Sequence, residues 1–275
     1  MGAATLAFLH AFPVKSTHAV DLDQATVEPW GLRGDRRWLL LDRHDAYVSQ
    51  LDAPTLSRVT ANPHPEHDGL LVRAPGMDPL PIRVPSLLHG ARPGRANVRG
   101  RICEVLTAGD DADDWFSRYV GRPVRLVHQD NPERPPIAAG PGGPARQTSH
   151  TMSYPIQLIT VGSLGALNQW IVGTGNPIVS LDRFRANLVV DGTRAWAEDT
   201  WQRVRVGAVS FTVRTACVRC RVTAIDQETA EAGREPLVTL ARHRRFGREL
   251  RFGLFLVPDQ VGVIRVGDPV EPLPG

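Results

Sequence analysis

The sequence predicts a mostly β fold with a few short helices, an α+β chain with an N-terminal β-barrel-like unit and a C-terminal β-rich unit. Short runs rich in Val, Ile, Leu and Trp recur, with Gly, Pro, Asp and His between them, as in a barrel or sandwich. The runs are Arg36 to Asp42, Tyr47 to Leu51, Leu70 to Arg73, Leu80 to Val84, Ile102 to Leu106 and Val261 to Val266. Val204 and Val206, then Val209, Phe211 and Val213, alternate with other residues across Gly207-Ala208, which predicts a hairpin with one buried face.

Three helices are expected. Asp111 to Tyr119 carries acidic residues in its first turn and stops at Gly121. Leu164 to Val172 follows Ser163, a suitable cap. Pro236 to His243 starts on a proline, and Leu237 and Leu240 share a face. Residues 131–150 contain Pro-Pro and Gly-Pro-Gly-Gly-Pro without periodicity and read as an irregular loop. The chain accordingly divides into units 1–110 and 111–275, the loop belonging to the second.

At 275 residues, 42% hydrophobic and 22% charged, the chain can bury a real core, and no apolar run is long enough to cross a bilayer. The apolar start lacks a basic flank and is broken by His10 and Pro13, so a first strand is expected rather than a signal peptide. Leu6 stands where a myristoylation signal needs Ser or Thr. A net charge of +3 permits an anionic ligand, and the one dense basic run, Arg242 to Arg245, reads as a solvated helix end. Neither nucleic acid nor a membrane is expected as a partner, and a cytoplasmic location is. Lys15 is the single lysine among 32 basic residues, and it precedes Ser16. An arginine-rich codon bias accounts for the others; a compact ammonium beside a hydroxyl suits phosphate.

Three cysteines, Cys103, Cys217 and Cys220, are too few for a disulfide framework. Cys217-Val-Arg-Cys220 leaves four readings open. A dithiol pair would need a local turn, because in an extended strand the two would stand about 10 Å apart, beyond the roughly 4.4–6.8 Å a disulfide spans. Half a zinc site would lack obvious further ligands among nine histidines without HxxxH or HExxH spacing. Both could be buried small residues. Finally, Arg219 and Arg221 bracket Cys220 and favour its thiolate, the form that binds metals.

Five segments resemble a known family. Phe12-Pro-Val-Lys-Ser16 and Gly31-Leu-Arg-Gly-Asp-Arg-Arg-Trp38 are similar to the N-terminal β-barrel that precedes a MOSC domain. Residues 183–192 with 195–201, 217–226 and 264–270 resemble the MOSC β-barrel domain itself, in the family's order. The resemblance implies the molybdenum cofactor, Mo-molybdopterin, with Cys220 as metal ligand and catalytic residue; soft thiolates suit such a centre. It further implies that Lys15, Ser16, Arg36, Ser153, Tyr154, Arg185, Asn187, Val218 and Arg219 hold the pterin and its phosphate. Charge-assisted donors and an amide with both donor and acceptor suit that task. Tyr154 departs from a serine of some relatives, and Arg37 from an aromatic residue. Asp226 reads as a turn residue.

By the same resemblance the activity is reduction of N-hydroxylated compounds: hydroxylamines, N-hydroxylated bases and amidoximes. Without clustered cysteines or a haem motif, the chain needs a separate electron-transfer protein of ferredoxin, cytochrome or flavin-reductase type. A cofactor or sulfur carrier without turnover of its own uses the same cradle and thiolate, and stands as the alternative.

Overall fold

A computed structural model describes residues 3–133 and 154–274. Ser153 and most of the 131–150 loop therefore lie outside the described residues. Among the described residues the fold is mostly β, with three α-helices: α1 (Asp110–Val120), α2 (Val161–Val172) and α3 (Leu237–His243).

The largest sheet runs in the order Val270–Leu273, Arg203–Val206, Val209–Val218, Glu249–Pro258, Ile156–Thr160, Leu188–Asp191, Thr5–Ala11 and Val20–Asp21. It curls until its first and last parts meet. The amide of Val270 donates to the Ala4 carbonyl at 2.8 Å, and that of Leu6 to Asp268 at 2.9 Å. The inward face of this closed sheet buries Leu6, Leu9, Leu158, Val190, Val204, Phe211 and Leu256 in one core. The predicted hairpin is there, Val206 opposite Val209 and Val204 opposite Phe211, with all four inside.

A four-stranded sheet, Trp38–Leu41, Arg125–His128, Arg101–Thr107 and Pro93–Val98, builds the other principal layer. Beside it lies the meander Thr60–Pro63, Gly69–Arg73 and Leu80–Arg83. Helix α1, which begins where the sequence reading divides the chain, sets Ala112, Trp115 and Phe116 against Trp38, Leu56 and Val72. The two ends of the chain are interlaced: Thr5–Ala11 pairs with Leu188–Asp191, and Gly262–Arg265 pairs with Gln24–Glu28.

Two local expectations are corrected. Tyr47 to Leu51 is not a strand; a single bridge joins Tyr47 to Leu41. The Asp52 carboxylate then takes both the amide and the hydroxyl of Ser49 and folds the chain into a turn. Helix α2 is capped by Thr160, not Ser163: the Thr160 hydroxyl accepts the Ser163 amide at 3.2 Å, so the helix starts directly from the preceding strand. The Ser163 hydroxyl instead receives the Trp196 amide at 2.7 Å.

His128 is buried against Trp38, ring centroids 4.5 Å apart, with its Nδ1 unpartnered. Burial, and then the neighbouring Arg37, push its pKa down to about 3. The folded protein keeps this imidazole neutral, whereas the unfolded chain takes up a proton near pH 6.5. Stability is therefore full above about pH 6.5 and is lost as pH falls toward 3, by at most about 1.4 kcal/mol per pH unit. Urea denaturation of the wild type and His128→Gln between these limits should give a flatter pH profile for the variant; parallel profiles would contradict the assignment.

Candidate functional site

The two ends of the interlaced sheets bring four loops together. The first is the segment after Thr5–Ala11. Its Phe12 ring lies under two guanidinium groups, Arg36 at 4.5 Å and Arg185 at 4.3 Å from the centroid. Trp38 anchors the segment by accepting the Lys15 amide at 2.7 Å on its carbonyl and donating its own amide to Pro13 at 3.0 Å. Lys15 and Ser16 are thereby buried, with the Lys15 ammonium 5.3 Å over the Tyr47 ring.

Arg36 is the hub of the second loop. It pairs with the buried Asp35 carboxylate and donates to the Asn187 side-chain oxygen at 3.1 Å and the Arg185 carbonyl at 3.2 Å. The other Asp35 oxygen accepts the Phe12 amide at 2.8 Å, which ties both loops to one carboxylate. Asn187 is fully buried. Its amide nitrogen donates to the His10 carbonyl at 3.1 Å, and its oxygen also accepts the Gln157 amide at 3.3 Å. Such an Asn sits at the crossing of the first strand with Ile156–Thr160, satisfied on both edges.

Arg185, in a left-handed conformation after a short 3₁₀ turn, donates to the Thr17 carbonyl at 2.6 Å and the Gln227 side chain at 3.3 Å. Gln227 in turn accepts from Gln50, whose amide also donates to the Ser16 carbonyl, both at 2.9 Å. Lys15, Ser16, Arg36, Arg185 and Asn187 thus belong to one connected cluster.

Its charge is unbalanced. Burial, then repulsion from Arg36, Arg101 and Arg185, drive Lys15 well below the ordinary lysine range, with Asp35 opposing. Burial and Arg36 lower Arg185 to about 9. Several buried basic groups with only Asp35 and, near Arg185, Asp182 to oppose them form a costly arrangement that an anion relieves.

The fourth loop follows the strand Val209–Val218. Cys217, still in the strand, faces inward, and burial raises its thiol pKa. The strand then ends, and Cys220, exposed, precedes the 3₁₀ turn Arg221–Ala224. Its carbonyl accepts the Thr223 amide at 3.1 Å and hydroxyl at 2.9 Å, which fixes the turn. Between the cysteines, Arg219 runs inward. Its Nε donates to the Phe252 carbonyl at 2.8 Å and its Nη1 to Phe184 at 3.0 Å, while Nη2 is buried with no partner. Tyr154 and Val218 are placed differently: the Tyr154 ring is 5.7 Å from Phe255, and Val218 is exposed opposite Arg251.

The cysteines therefore live in different environments, one covered and inert, the other open to solvent beside guanidinium groups. Among the described residues no three His, Cys, Asp or Glu side chains gather as a metal nest, so the half-zinc reading finds no partners. The donor set fits a pterin-type anion carrying a soft metal: buried cations, an orphaned guanidinium nitrogen and one accessible sulfur.

Sequence reasoning missed Asp35, Gln50 and Gln227. Asp35 was visible as the acid preceding Arg36; the glutamines gave no signal. Asp226 does form the expected turn, accepting the amides of Glu228 and Thr229 at 3.0 Å, but it also pairs with Arg183 at 2.9 Å. Arg37 turns away from the cluster to the Gln129 and Asp130 carbonyls.

Comparison with known proteins finds two family models along the chain. The model of the MOSC N-terminal beta barrel domain matches residues 3–123, and that of the MOSC domain matches residues 145–271. The chain is 30% identical to mitochondrial amidoxime reducing component 2 of Bos taurus and to mitochondrial amidoxime-reducing component 1 of Homo sapiens. Each match covers 97% of this chain and 82% of the relative. It is 31% identical to the molybdenum cofactor sulfurase of Anopheles gambiae, over 89% of this chain and 33% of that protein. No helix among the described residues is long and apolar enough to cross a membrane.

Gly253 makes room for Arg219. At φ +76° an added Cβ would stand 2.5 Å from the Leu158 carbonyl oxygen and 3.2 Å from Arg219 Nη2. Gly34, at φ +81°, has nothing within 4 Å. Gly253→Ala should cost about 2–4 kcal/mol in chemical denaturation, and Gly34→Ala about 1 kcal/mol; equal costs would show that close packing at Gly253 is immaterial.

Proposed function

Because this chain belongs to the family that joins a MOSC N-terminal β-barrel to a MOSC domain, we propose that it is a molybdenum-cofactor-dependent reductase of N-hydroxylated compounds. The observation that carries the reading is an excess of buried cations around Asp35 close to an accessible cysteine. Bound molybdopterin supplies a metal that exchanges two electrons with substrate.

The protein's own part is binding and exclusion. Lys15, Ser16, Arg36 and Arg185 would hold the phosphate and pterin oxygens, with Asn187 keeping Arg36 in place. The Arg219 Nη2 protons, unclaimed by any acceptor among the described residues, would go to a cofactor oxygen or sulfur. Cys220 would give its sulfur to the metal, its position set by Thr223 and by the strand end beside it. Ser153, Tyr154 and Val218 are proposed as further cofactor-binding residues. Removing a hydroxyl oxygen from nitrogen consumes two electrons and two protons and releases water, so a separate electron-transfer protein must resupply the electrons. Three free cysteines suit the reducing cytoplasm.

The carrier reading draws on the similarity to molybdenum cofactor sulfurase. Turnover separates the two. Protein purified from a cofactor-making host should contain molybdenum and releasable pterin, and should consume benzamidoxime when driven by reduced methyl viologen. Stoichiometric cofactor without turnover on several N-hydroxyl substrates would favour the carrier; absence of molybdenum would remove both readings. Cys220→Ala should abolish turnover, while Cys217→Ala keeps most of it; equal losses would overturn the choice of ligand. Arg185→Ala should weaken cofactor retention about tenfold, read as pterin released on gel filtration.

A further inference from the structure

Five arginines stand exposed beside the Cys220 segment: Arg214, Arg221, Arg242, Arg245 and Arg248. None makes an ion pair with a described residue. Local carboxylates are already engaged, Glu249 by Arg251 at 2.7 Å and Asp199 by Arg244 at 2.7 Å.

The backbone carries this charge to the site. Helix α3 ends at Arg242-His243, and Arg245–Phe246 pairs with Leu250 and Glu249 across Gly247-Arg248. Arg251 lies opposite Val218, two residues before Cys220, and the Leu250 carbonyl accepts the Arg219 amide at 2.8 Å. Arg214, Arg244, Arg251 and Phe246 line an open cleft of about 650 Å³ floored by Trp201 and Leu254. Phe246 and Val218 are 43% and 46% exposed, so apolar contact is available inside an arginine rim.

We infer that this face docks an acidic, one-electron carrier protein. The inference rests on the reductase reading and names the partner it needs. Reduction follows R–NHOH + 2 e⁻ + 2 H⁺ → R–NH₂ + H₂O, so a one-electron carrier must visit twice per turnover and leave between visits. A rim of unpaired charge around a small apolar centre suits such brief, salt-sensitive encounters. A lipid bilayer would meet only two exposed apolar side chains here, and beside them a recess.

The test uses the cofactor-loaded protein, a reduced acidic plant-type [2Fe–2S] ferredoxin as probe, and the variant Arg242→Glu/Arg245→Glu/Arg248→Glu. The KM for ferredoxin should rise at least about tenfold with little change in kcat. Raising salt from about 20 to about 200 mM should slow the wild type, but not the variant. Turnover driven by methyl viologen should be unchanged. An unaltered KM for ferredoxin, equal loss with both donors, or a wild type that accepts electrons from methyl viologen but not from ferredoxin would overturn the inference. So would a variant that loses only its association with phosphatidylglycerol vesicles. Ferredoxin binding is also measured directly by calorimetry. If the wild type is inert with methyl viologen, the reductase reading has failed, and calorimetry still decides whether the arginine face binds the acidic protein.

Discussion

One buried carboxylate organises the site. Asp35 holds Arg36 with one oxygen and the Phe12 amide with the other, so the loop after the first strand and the loop before Trp38 cannot move apart. Arg36 passes the constraint to Asn187 and the Arg185 backbone, and Arg185 passes it through Gln227 and Gln50 to Ser16. Every cationic side chain in this ring is positioned by a neutral or anionic partner, yet the ring as a whole has too few anions. A charged cofactor is thus met by donors already in place, which keeps the reorganisation on binding small.

The division of labour between the two cysteines follows from where the strand stops. Within Val209–Val218 the pleat sends Cys217 into the core. The following residues leave the ladder, so Arg219 turns inward and Cys220 outward. Aromatic rings of Phe184 and Phe252 lie 5.2 and 5.7 Å from the Arg219 guanidinium and cover it, and Gly253 leaves the gap that its tip needs. Three residues of sequence thereby yield a covered thiol, a buried guanidinium and an open sulfur.

Much of the fold was legible. Hydrophobic alternation located the Val204–Val213 hairpin because one face is wholly buried, and helix α1 was bounded by its acidic first turn and Gly121. Tyr47 to Leu51 misled because Asp52, just past the run, competes for the Ser49 amide, a side-chain bond that composition does not display. Ser163 misled because Thr160 performs the cap from inside a strand. In the site, charged residues near glycines were conspicuous, while Gln50 and Gln227 meet across 177 positions and carry no local pattern. The interlacing of Thr5–Ala11 with Leu188–Asp191 was equally invisible, since partner choice between distant strands is settled by the closed core and not by either strand alone.

That interlacing has a consequence for biosynthesis. Strand Thr5–Ala11 is synthesised long before its neighbour Leu188–Asp191, and its seam with Val270 closes later still. Through that interval, apart from its short pairing with Val20–Asp21, it is an unpaired apolar edge, the condition in which nascent chains recruit chaperones or associate with one another. The same geometry ties Ala4 and Leu6 to Val270 and Asp268, so losing either segment removes the hydrogen bonds that close the barrel.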